Sequence, residues 1–66
     1  MSAHVYPPAT RKNIGKVFAL ARAIKRERSF KTHERKALSG FLAALRSHDN
    51  GRVDRAVSLA FERLDY

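Results

Sequence analysis

The sequence predicts an all-α fold, a compact three-helix bundle, and three observations carry that prediction. Apolar residues recur at spacings of three and four in three separate segments, the period of an amphipathic helix. The segments are joined by connections of only a few residues, which favours helices packed against their chain neighbours. Only His4-Val5-Tyr6 has any strand character, and tandem prolines follow it at once.

The first ten residues read as an extended lead-in, because Pro7-Pro8 favours polyproline or turn geometry. Thr10 is a candidate N-cap for a first helix over about 11–28. Ile14, Val17, Phe18, Ala21 and Ile24 form its apolar stripe. Arg11, Lys12, Lys16, Arg22 and Arg26 lie on the opposite side, with Ala19 and Ala23 among them, and Lys25 stands at a border. The second helix, about 33–48, follows Thr32 as its candidate cap, with Glu34 in the first turn where a carboxylate complements the helix dipole. Its stripe is Leu38, Phe41, Leu42 and Leu45. The other side is small (Ser39, Gly40, Ala43, Ser47), which suggests a central helix packed against two neighbours. Asp49-Asn50-Gly51 is a turn, and Asp49 or Asn50 can cap a third helix over about 52–64. That helix carries Val53, Val57, Ala60, Phe61 and Leu64 on one stripe. The expected core is Ile14, Val17, Phe18, Ile24, Leu38, Phe41, Leu42, Leu45, Val53, Val57, Phe61 and Leu64.

A chain of 66 residues is one domain with a thin core. It has no cysteine, so neither disulfides nor thiolate metal sites can reinforce it. A homodimer is one way to complete so small a core. The start lacks a basic segment followed by an apolar one, so no secretory signal is expected. No apolar run approaches the length that spans a bilayer. A soluble, cytoplasmic protein is the expectation.

Charge is the main functional clue. Fourteen Lys and Arg stand against six Asp and Glu, for a net +8. Residues 1–36 hold ten of the bases and two of the acids; residues 37–66 hold four of each. A one-sided positive field attracts polyanions. The candidate binding residues are therefore Arg11, Lys12, Lys16, Arg22, Lys25, Arg26, Arg28, Lys31, Arg35 and Lys36, a run long enough to follow several phosphates. Arg52, Arg55, Leu59 and Arg63, on the outer side of the third helix, are candidates for base or partner contact. A helix-turn-helix reading places Arg52 and Arg55 where bases are read. Against it, the second helix is too long, the turn too loose, and Asp49 and Asp54 would face phosphates.

Other chemistry has little support. His33 and His48 are fifteen residues apart on one helix, about 22 Å, too far to share a metal ion. No nucleophile elbow and no glycine-rich phosphate loop is present. No enzyme, cofactor or small-molecule substrate is expected. Two readings remain. The first is a non-enzymatic protein gripping the phosphate backbone of DNA or RNA, with duplex DNA favoured because no aromatic surface for stacking single strands is visible. The second is an inhibitor or adaptor that docks on an acidic surface of a larger protein, with charge steering the encounter. An anionic membrane is a weaker alternative, since the apolar stripe of the first helix is needed by the bundle.

Overall fold

A computed structural model describes residues 5–65 and gives three helices in the order α1 (Pro8–Glu27), α2 (Thr32–Ser47) and α3 (Asn50–Arg63). Among the described residues there is no strand, and no helix is long and apolar enough to cross a membrane. Of the one segment with strand character, Val5 and Tyr6 are not in a strand, and His4 lies outside the described residues, as does Tyr66.

The helix starts differ from the sequence expectation, each for a local reason. α1 begins at Pro8, three residues early, so the lead-in is shorter than the first ten residues. Proline is well suited to a first helical position, where its missing N–H has no intrahelical partner to lose and its φ is already helical. Thr10 is consequently not a cap. It is buried inside the helix, and its hydroxyl donates to Asp54 Oδ1 at 3.0 Å, tying α1 to α3. Thr32 is likewise the first helical residue of α2, and Lys31 holds the cap position. Glu34 accepts the Lys31 backbone N–H at 2.8 Å. Lysine has no acceptor to return, so this is half of a capping box.

The α2–α3 connection is tighter than the expected turn. α2 ends on His48, which adopts the left-handed conformation (φ 55°), and its N–H donates to the Leu45 carbonyl. Asn50 and Gly51 already belong to α3, and no described glycine has positive φ. Of the two candidate caps, Asp49 and Asn50, it is Asp49 that caps α3, accepting the Arg52 N–H at 3.1 Å. A left-handed residue satisfies the last carbonyls of a helix whether or not it is glycine, so Asp49-Asn50-Gly51 marks the right place but the wrong residue.

The core is narrower than the apolar stripes. Val17, Ile24, Phe41, Val53, Val57 and Leu64 are buried, with Ile14, Leu38 and Leu45 packed at its margin. Phe18, Leu42 and Phe61, expected inside, are 39%, 42% and 40% exposed. Their places are taken by Ala37, Ala44 and Ala60. Both α1 and α2 approach α3 closely, while their own backbones stay further apart. Thus α3, not α2, is central. Alanines at 37, 44 and 60 permit that close approach, since a helix axis comes nearer where side chains are short. Phe18 and Phe41 bridge the wider α1–α2 gap, edge to face with ring centroids 5.4 Å apart. Tyr6 packs on the core and donates its hydroxyl to the Leu45 carbonyl at 3.0 Å, covering one end.

The other end is held by a buried charge. Glu34 is fully buried, and its carboxylate accepts four hydrogen bonds. Two come from the Arg28 guanidinium (2.8 and 3.0 Å), one from the Lys31 N–H and one from the Asp65 N–H (both 2.8 Å). One side chain thereby ties the end of α1, the start of α2 and the segment after α3. A buried carboxylate is tolerable when every lone-pair direction is occupied and a counter-charge is forked onto it. Arg28 holds this carboxyl well below the usual carboxylate range, with the Lys31 amide adding to the effect.

Candidate nucleic-acid interface

The fold sorts the candidate cations into groups that the linear sequence does not separate. Val17 and Ile24 of α1 are fully buried. The opposite face carries Arg11, Lys12, Lys16, Arg22 and Arg26, all exposed, with Lys25 exposed at its border. From Arg11 to Arg26 this face runs about 22 Å along the helix. Among the described residues, none of these six is drawn into an ion pair. Gly15 lies in the middle of the face, near Ala19. A Cβ at Gly15 would meet nothing within 4 Å, so packing does not demand glycine there. The sequence reading overlooked it, although its position four residues after Arg11 was visible.

Two members of the expected run are ion-paired, and one of them, Arg28, is committed to the fold. Arg28 is forked onto Glu34 and also donates to the Ser29 and Asp65 carbonyls. Its side chain is only 33% exposed, and the bond to Glu34 raises its pKa further. Lys31 pairs with the Asp65 carboxylate at 3.0 Å on the surface, and this bond lowers the Asp65 pKa. Arg28 through Lys36 therefore does not simply continue the α1 face. A residue spacing could have warned of this: Lys31 and Glu34 stand three apart at a helix start, as capping partners do.

Arg35 and Lys36 diverge. Arg35 borders a hollow at the α1–α2 turn with Lys25, Arg26 and Phe30. Lys36 instead meets Arg52 and Arg55 along a shallow groove between α2 and α3. Ala37, Gly40, Ala44 and Ala56 line that groove, and Leu59 (41% exposed) stands at its side. Arg63, in the last turn of α3, is exposed. The base-contact candidates Arg52 and Arg55 are thus beside α2, joined by a lysine that the sequence assigned elsewhere.

No family model, no curated protein and no solved structure matches this chain.

The arrangement can present a row of cations to an extended anion. Among the described residues, no three His, Cys, Asp or Glu side chains gather as a metal-binding group. Glu34, the carboxylate whose pKa is lowered furthest, directs all four of the hydrogen bonds it accepts to the fold itself.

Proposed function

We propose that the chain is a non-enzymatic nucleic-acid-binding protein that grips the phosphate backbone through the outer face of α1. The observation that carries the reading is the five-cation row of Arg11, Lys12, Lys16, Arg22 and Arg26, exposed and uncompensated by ion pairs among the described residues. Its placement supports backbone contact: the five cations share one face of one helix, with Gly15 and Ala19 between their long side chains. Glycine inside a helix costs about 1 kcal/mol relative to alanine. A partner lying close against the backbone is a reason to carry that cost where packing offers none. One exposed ring, Phe18, borders the row beside Arg22, and a single ring makes no succession of stacking platforms, which favours a duplex over stacked single strands.

A salt titration against random duplex DNA and RNA tests it. Five neutralised phosphates predict a slope of log affinity on log salt of about −4.5 for B-DNA. Replacing Lys16, Arg22 and Arg26 together by glutamate leaves two cations and predicts a slope of about −2 or flatter. Binding that ignores this triple replacement rules the reading out.

A further inference from the structure

We propose that the groove between α1 and α2 is a docking site for an acidic amphipathic helix of a partner protein. Both helices rest on α3 while their own backbones stay apart, which leaves a furrow on the side away from α3. Phe18, Ala21, Leu38, Phe41 and Leu42 line it, Phe30 lies toward the turn, and its volume is about 370 Å³. Phe18 and Leu42 stand well exposed there, at 39% and 42%. A fourth helix laid into this furrow would bury both and complete a four-helix arrangement.

Charge selects the occupant. Arg22 and Lys25 are the polar members of the furrow, no acidic residue lines it, and neither cation pairs internally among the described residues. An apolar stripe flanked by carboxylates matches such a site in both respects. A second copy of this chain does not, because it brings a net +8 onto a basic rim. Its exposed Leu59 has a mixed rim, Arg55 and Arg63 with Asp54 and Glu62, and not the uniformly acidic one that the furrow matches. A lipid surface fits poorly as well. Phe18 and Leu42 lie in a concave furrow between two helices, into which a flat lipid surface does not reach.

The probe is a synthetic helix of about 15 residues with leucines at i, i+4 and i+7 and glutamates flanking them, compared with its lysine twin. Amide resonances of the full ¹⁵N-labelled chain are followed during titration. The acidic peptide is expected to shift resonances around Phe18, Ala21, Leu38 and Leu42 and to saturate, with the lysine twin at least about tenfold weaker. Leu42→Ser should weaken the acidic peptide by about tenfold or more. Leu59→Ser, equally exposed elsewhere, should not. Leu42→Ser should leave duplex DNA binding unchanged, and Lys12→Glu should leave the peptide unchanged, so this proposal and the nucleic-acid reading fail separately. Circular dichroism confirms that each variant stays folded; if Leu42→Ser does not, Leu42→Lys replaces it. The proposal is overturned by equal affinity for the two peptides, by shifts confined to another face, or by indifference to both replacements at Leu42. It is also overturned by self-association that Leu42→Ser abolishes, or by phosphatidylglycerol vesicles shifting these resonances when the acidic peptide does not.

Discussion

Replacing Glu34 by glutamine should be the most damaging near-isosteric change in the molecule. The carboxylate is fully buried and accepts from four donors. Glutamine keeps one carbonyl oxygen but puts an NH₂ group where the other oxygen stood. If the amide faces the Oε2 site, it meets Arg28 Nη2 and the Asp65 N–H, donor against donor. If it is flipped, it meets Arg28 Nη1 and the Lys31 N–H instead. Neither orientation satisfies the site, and Arg28 loses its closest counter-charge in both. Removing one partner of a buried pair, in a domain this small, corresponds to a fall in melting temperature of about 20–35 °C. Arg28 keeps a third of its side chain in water (33%), so it regains some solvation and the lower end is expected.

The same carboxylate sets a pH dependence. Its pKa is lower folded than unfolded, so its contribution is complete above the unfolded value of about 4.3 and is lost as pH falls through the folded one. Asp65, also lowered by Lys31, acts in the same direction. Thermal melts followed at 222 nm between pH 7 and pH 2 should show the wild type losing stability below about pH 4. The Glu34→Gln variant should start lower and fall less steeply. A variant melting within a few degrees of wild type at pH 7, or one with the same acid slope, would refute the assignment. Arg28→Ala should be strongly non-additive with it, since the two groups share one site.

Two further predictions concern stability. Gly15→Ala and Gly40→Ala should each stabilise by about 0.5–1 kcal/mol, because both glycines are inside helices and an added Cβ meets nothing within 4 Å. Being on different helices, they should add within error in denaturant melts, and a loss of stability at either would contradict the open space seen there. Phe41→Ala should cost about 3–5 kcal/mol, since Phe41 is 1% exposed, whereas Phe61→Ala, with 40% exposed, should cost about 1–2 kcal/mol. Equal losses would mean that the narrow core described above is wrong.

Much of the fold was legible because helical periodicity is local. The three helices, the burial of Val17, Ile24, Phe41, Val53, Val57 and Leu64, and the Asp49 cap all follow from spacings within one turn or two. The exposed basic row on α1 was legible for the same reason, since a residue opposite a buried stripe has nowhere else to point.

What tertiary structure decided is how wide each stripe is covered and which distant groups meet. Periodicity says that Phe18 and Val17 share a side, not that α2 stays far enough from α1 to leave Phe18 half in water. It ranks large residues above alanine, yet close helix approach puts Ala37, Ala44 and Ala60 inside. Charge counting likewise treats all cations alike. Only the fold withdraws Arg28 from the basic run by setting it on Glu34, six residues on, and closes that site with an amide 31 residues away. It also moves Lys36 from the company of α1 to that of Arg52 and Arg55. The sequence by itself determined the helices, their faces and the sign of the surface. The packing of α1 and α2 around α3 decided which cations remain for a partner, because ion pairing and groove width depend on neighbours that no local pattern specifies.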